Sequence, residues 1–290
     1  MLIARLIAEM PDWETRLGAM KGDLQAQNSP VQAVNTHDFG ARVVELELAD
    51  GDKSAVHEAI DRHFGAVDRL VSDRAIEAPQ LFVSDMDSTM IGQECIDELA
   101  DYAGLKPQIA EITEKAMRGE LDFEDALRER VALLGGLDES AITRCLEERI
   151  SGNPGAAELV MTLNASGART VLVTGGFHHF ADRVAQDMEF DRVVGNRLEV
   201  ADGKLTGKLE GAISHAQTKL AVLREEAAAI GADAISVGIG DGANDIPMIE
   251  GATFGFAYMA KPAAKAAADG RIESGDLTKV LSLLGIRSGI

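Results

Sequence analysis

The chain has 290 residues, 46% of them apolar, enough to fill two compact units or one larger unit carrying an insertion. Its 48 acidic residues outnumber 28 basic ones, and the formal charge of −20 argues against nucleic acid or an anionic membrane as the main partner. The two cysteines, Cys95 and Cys145, lie far apart without paired-ligand spacing, which argues against a disulfide framework or zinc site and fits a reducing cytoplasm.

The opening stretch from Met1 to Met10 is broken by Arg5 and Glu9, and no later stretch approaches the apolar length of a membrane span. No export or anchoring signal is read. Residues 1–75 carry their own pattern and predict a small α+β module. Within it, the strict alternation Val44-Glu-Leu-Glu-Leu48 predicts a strand with one wet face. After an Asp50-Gly51 turn, Val56, Ala59, Ile60 and Phe64 recur at helical spacing. The polar stretch from Ser72 to Pro79 predicts a linker.

A second unit is expected over residues 80–290. Three apolar runs, Leu81-Phe-Val83, Thr170-Val-Leu-Val173 and Ala234 to Ile239, lack polar alternation and each precede a loop rich in Gly, Asp or Thr, as buried parallel strands do. A helix is predicted from Pro154 to about Ala165, capped by Asn153. Strand, helix, strand implies an α/β fold with a doubly wound parallel sheet, whose ligands bind beyond the carboxyl ends of the strands. Asp85, Thr174 and Asp241 would all fall there. The interval between the first two runs far exceeds a simple crossover, so residues 96–150 predict an inserted helical cap that excludes water. Asp202-Gly203 between extended segments predicts a tight hairpin.

Three loops carry the chemistry. In Asp85-Met-Asp87-Ser-Thr89, two carboxylates two apart in an extended segment point the same way and suit phosphoryl transfer. Asp85 would be the nucleophile and Asp87 the general acid and base. A pair of solvated turn aspartates is the bland alternative, and only context separates the two. Thr174-Gly175-Gly176 can bring backbone N–H groups and a hydroxyl against phosphate oxygens, although Gly-Gly after a strand also makes plain turns. Gly240-Asp241-Gly-Ala-Asn244-Asp245 reads as a cation site. Mg²⁺ would take Asp85, the Asp87 backbone carbonyl, Asp241 and a phosphate oxygen, with Asp245 supporting from behind. Lys219 could hold phosphate and offset the aspartate charge. His178, His179 and His215 lack metal spacing, and the run from Lys261 to Ala268 reads as a surface helix.

Taken in this order, the loops resemble those of the haloacid dehalogenase superfamily of phosphatases. The continuation Ile91-Gly-Gln-Glu-Cys-Ile-Asp-Glu-Leu-Ala100, with Ala116-Met117, Phe123, Ala126-Leu127 and Arg130-Val131, is similar to the phosphoserine phosphatase family over residues 80–285. That resemblance implies hydrolysis of O-phospho-L-serine through an aspartyl-phosphate, the last step of L-serine biosynthesis. It also implies Glu94 on the substrate ammonium, Arg130 on its carboxylate, Met117 and Phe123 lining the cap side, and Asn244 orienting the phosphoryl group. Thr174 stands where many members have Ser. The N-terminal module lies outside the catalytic resemblance and is like an extension of some bacterial members. A homodimer is compatible with the sequence. Transfer to another alcohol, action on another small ester such as phosphohomoserine, and a ligand-sensing protein with a decayed core are the competing readings.

Overall fold

The computed structural model describes residues 1–49, 51–117 and 120–287, with the backbone alone at Met117; Asp50, named in the expected turn, lies outside the described residues. The N-terminal elements run β1 (Leu2–Ile7), α1 (Trp13–Ala26), β2 (Val31–Asp38), β3 (Arg42–Leu48), α2 (Lys53–Phe64) and β4 (Arg69–Ser72). Asp52 starts α2 by accepting the Ser54 N–H, and Val56, Ala59, Ile60 and Phe64 are buried along the face read from the sequence. With Leu46 and Leu48 of β3 and Leu17, Met20 and Leu24 of α1, they form a local core.

From residue 81 the chain gives β5 (Leu81–Ser84), α3 (Cys95–Tyr102), α4 (Lys106–Met117), α5 (Phe123–Leu133), α6 (Ser140–Arg149), α7 (Ala156–Ala165), β6 (Arg169–Phe177) and α8 (His178–Met188). It continues through β7 (Arg192–Ala201), β8 (Lys204–Glu210), α9 (Ala216–Ile230), β9 (Ser236–Gly240), α10 (Ile246–Gly251), β10 (Phe254–Tyr258), α11 (Pro262–Ala267), β11 (Gly270–Ile272) and α12 (Thr278–Leu284). The sheet order is β2-β3-β1-β4-β11-β10-β9-β5-β6-β7-β8. Pairing is parallel from β11 to β7 and antiparallel elsewhere. The expected doubly wound core is present: Phe82 packs with α7, α8 and α12, while its neighbours Leu81 and Val83 pack with α9 and α10.

The N-terminal unit is joined to this core by more than a linker, because β4 pairs with β11 and makes one continuous sheet. Asp202 and Gly203, with φ of 53° and 73°, turn β7 into β8, as expected of this dipeptide. One helix start differs from expectation. α7 begins at Ala156, after Gly155 at φ 76°, and Asn153 does not cap it. Its side-chain amide instead donates to the carbonyls of Thr89 and Ile91 at 2.9 and 3.1 Å, bracing the chain just after the Asp85 loop.

Helices α3 to α6 occupy the interval between β5 and β6. Their far side is fastened to the β7–β8 hairpin. The Gly136 N–H donates to Leu205 O at 2.7 Å, Leu205 N–H to Leu137 O at 2.9 Å, and Glu139 N–H to Gly203 O at 2.9 Å. Gly207 permits that approach, since a Cβ there would sit 3.0 Å from Ala132 O and the residue has φ 81°.

Candidate active site

The Asp85 loop continues β5 without a break, its Asp85 N–H donating to Ile239 O of β9 at 3.0 Å. The chain then turns sharply, with Met86 O accepting from Met90 N–H at 2.9 Å and Ile91 N–H at 3.1 Å, and Ser88 at φ 54°. This turn separates the two aspartates into different surroundings. Asp85 is buried, and its Oδ1 accepts from Lys219 Nζ at 2.7 Å and Met86 N–H at 2.8 Å. Asp87 accepts the Cys95 N–H at 2.9 Å on Oδ1 and the Thr174 hydroxyl at 3.3 Å on Oδ2.

Lys219 reaches this point because His215 caps α9, accepting the Gln217 N–H on Nδ1 while Thr218 returns a bond to the His215 N–H. Its ammonium also meets Asp245 Oδ1 at 2.6 Å. The other Asp245 oxygen accepts the N–H groups of Asp241 and Gly242 at 3.2 and 2.9 Å, so both oxygens are committed. Gly240 is required here, since a Cβ would fall 2.3 Å from Asp245 Cγ.

Charge is crowded. Burial and then the Asp245 carboxylate hold Asp85 well above the ordinary carboxylate range despite Lys219. Burial, with Glu94 beyond it, pushes Asp87 up to about 6. Burial, with Asp245, does the same for Asp241, to about 6. Lys219 is held above its usual value, because two carboxylates at contact outweigh its desolvation. Carboxylate oxygens of Asp85, Asp241 and Asp245 lie within 4.8 Å of one another, an all-oxygen cluster of the kind that takes a hard divalent cation.

A cavity of about 390 Å³ opens over these loops. Asp85, Asp87, Thr174, Gly175, Gly176, Asp241 and Asn244 line its floor, and Glu94, Phe123 and Arg130 line the helical side. The side chain of Met117 lies outside the described residues. Lys219 does not reach the cavity wall: it is 1% exposed and lies beneath Asp85, holding carboxylates. Arg130 is anchored by its Nε bond to Ala126 O at 3.2 Å, with Asp97 and Glu94 as its nearest opposite charges. Glu94 accepts the Ser88 hydroxyl at 2.8 Å. A Cβ at Gly176 would sit 2.7 Å from Asp87 Oδ2 and displace that carboxylate.

Asp97, Thr113 and Lys261 on the cavity wall, and Asn196 beside it, escape the sequence reading as site residues. Lys261 lines the cavity from the start of α11 and its N–H donates to Asp241 O at 3.0 Å. The apolar run Phe254-Gly-Phe-Ala-Tyr258 before it, a fourth strand end, was the available signal. Asp97 also lines the cavity, one turn into α3 after Glu94. No local pattern marks Asn196. A larger cavity of about 430 Å³ lies between α2 and α11, but Lys53 and Arg271 on its walls are paired with Asp269 and Asp61 at 2.8 and 3.3 Å.

The haloacid dehalogenase-like hydrolase family matches residues 82–250. A phosphoserine phosphatase of Albidiferax ferrireducens is 45% identical over 210 residues, 70% of this chain and 89% of that protein. Among solved structures, a HAD family hydrolase from Salmonella enterica serovar Typhi superposes with a TM-score of 0.86 at 26% identity, covering 98% of this chain and 99% of that one. A phospho-aspartyl intermediate analogue of phosphoserine phosphatase superposes with a TM-score of 0.65 at 37% identity, covering 73% and 100%.

Proposed function

We propose that this chain, which belongs to the haloacid dehalogenase-like hydrolase family, hydrolyses O-phospho-L-serine to L-serine and phosphate with Mg²⁺ as cofactor. The observation that carries the reading is the two-sided cavity. Aspartates and a glycine loop form one wall, while a cation and a carboxylate suited to the two ends of an amino acid stand on the other.

Asp85 Oδ2 carries no hydrogen bond from the protein among the described residues and is the oxygen placed to attack phosphorus. As the Asp85 O–P bond forms, the bond from phosphorus to the serine oxygen breaks, and Asp87 protonates the departing alkoxide. Its raised pKa, about 6, keeps that proton available nearer neutrality than an ordinary aspartate would. Asp87 then takes a proton from the water that opens the acyl phosphate, which restores Asp85. Lys219 holds the nucleophile in place, and the Thr174–Gly175–Gly176 loop faces the phosphate oxygens, the Thr174 hydroxyl turning from Asp87 to phosphate when substrate binds. Arg130 takes the carboxylate, Glu94 the ammonium, and Asn244 orients the phosphoryl group; Phe123 bounds the pocket opposite Gly175.

The donor set suits Mg²⁺: Asp85, Asp241 and the Asp87 carbonyl offer hard oxygens, while Asp245, with both oxygens engaged, braces the loop. Bound Mg²⁺ would neutralise charge on the phosphoryl group and carboxylates. Two free, buried thiols support a cytoplasmic setting, and no helix among the described residues is long and apolar enough to cross a membrane. On this reading the reaction would be the last step of L-serine biosynthesis.

Phosphate release from phosphoserine, phosphothreonine, phosphohomoserine, a sugar phosphate and 4-nitrophenyl phosphate, with Mg²⁺ and then EDTA, tests this. A metal-dependent preference for phosphoserine is expected. A flat profile would remove the substrate, and inactivity on all five would remove the hydrolase reaction.

A further inference from the structure

Asn196, on β7 and 2% exposed, makes three hydrogen bonds that meet two parts of the candidate site. Its Nδ2 donates to Gly175 O at 2.7 Å and to Ser214 O at 3.4 Å, and its Oδ1 accepts the Ser214 N–H at 2.8 Å. The Ser214 N–H needs an acceptor and both carbonyls need a donor, so the amide has one orientation.

We propose that Asn196 is a positioning residue for phosphoryl transfer, a buried amide that fixes the Gly175–Gly176 peptide and the start of the Lys219 helix relative to each other; this rests on the function proposed above. On one side, holding Gly175 O sets the plane of the following peptide, whose Gly176 N–H donates to Thr174 Oγ1 at 2.8 Å. That oxygen, already accepting, turns its own proton to Asp87 Oδ2 at 3.3 Å. On the other side, Ser214 immediately precedes His215, the cap of α9, and α9 delivers Lys219 to Asp85 and Asp245 at 2.7 and 2.6 Å. One amide therefore stands behind the partners of both catalytic aspartates. The fit is tight around it: a Cβ on neighbouring Gly195 would press Thr174 Cγ2 at 3.1 Å.

The test compares full-length wild type with Asn196→Ala, Asn196→Ser and, as a control on the same strand, Leu198→Ala. Leu198 is buried but has no bond to either loop. Kinetics on phosphoserine, calorimetric binding of inorganic phosphate with Mg²⁺, and thermal unfolding are measured for each. The Asn196 variants should lose about 10- to 100-fold in kcat and bind inorganic phosphate about tenfold or more weakly, as expected when a residue supporting site ligands is removed. Leu198→Ala should lower Tm while keeping both within about threefold. Asn196→Ser retains one donor and serves if Asn196→Ala does not fold. Unaltered kcat and phosphate affinity in a folded Asn196 variant would overturn the proposal, as would equal losses in Leu198→Ala. Wild-type inactivity on phosphoserine would overturn the proposed function alone, since phosphate affinity still reads the clamp.

Discussion

Arg69, enclosed where β4 meets β11, and Lys219, enclosed beneath the cavity, are both charged and both out of solvent, yet their surroundings are unbalanced in opposite directions. Arg69 bonds Asp61 at 2.5 Å, His57 Nδ1 at 3.1 Å and Val67 O at 3.3 Å, and Asp61 also receives Arg271 at 3.3 Å. Two cations there share one half-exposed carboxylate. Lys219 reverses the ratio, with two buried carboxylates on one ammonium and Asp87 and Asp241 close behind. The junction is a fastening whose neutral donors and acceptors complete the bonding. The cavity floor is left with crowded carboxylates that a divalent cation would relieve, and crowding of this kind concentrates at functional sites.

The contrast can be broken most decisively at Asp85. Asp85→Asn removes the nucleophile and one crowded charge, so turnover should fall by about a thousandfold or more while Tm stays at or above wild type. Turnover near wild type would refute the covalent step. The two cations themselves sharpen the comparison. Lys219→Met should cost about 100-fold in kcat as well as stability, because Asp85 and Asp245 are left facing each other unpaired. Arg69→Met should lower stability by about 2 kcal/mol, discounted because Asp61 is half exposed, while kcat stays within about twofold. Urea unfolding and steady-state kinetics on both variants decide this; equal kcat losses would erase the distinction.

The last comparison is read in pH. Burial first, then the charges of Arg271, Arg69 and Lys53, lower His57 to about 3, so the folded protein keeps it neutral. Its unfolded value is near 6.5, so its contribution to stability is complete above that pH and is lost as pH falls toward 3. Between these limits the unfolded chain binds one more proton, a slope of up to about 1.4 kcal/mol per pH unit. His57→Leu should flatten that part of the profile, and an unchanged slope would mean His57 is charged in the folded state.

The comparison also explains what the sequence could reveal. Loops at strand ends are local, so Asp85, Thr174 and Asp241 could be read together once the apolar runs before them were recognised as parallel strands. Burial is not local. Lys219 was legible as a cation of the site but not as one hidden beneath it, and the arginine in Arg69-Leu-Val-Ser72 disguised a strand that is buried throughout. Asn153 has the right residue type for a cap, yet the carbonyls of Thr89 and Ile91, over sixty residues away, claim its amide. Asn196 reaches the site only through the order of the strands, which no single segment encodes, whereas Lys261 follows a strand end that the apolar run Phe254–Tyr258 marks.

The three backbone bonds between residues 136–139 and the β7–β8 turn make a second attachment for the inserted helices, well away from their chain connections near Ile91 and Gly152, which are themselves bridged. A door hung at two points turns about the line through them. Sliding the four helices away as one block would break all three bonds, each worth about 1 kcal/mol. Turning about that line would leave them intact, and α4, packed on α3 and α5, would move with its neighbours. Drift in loop side chains from 136 to 139 would leave this attachment intact, because main-chain atoms form it.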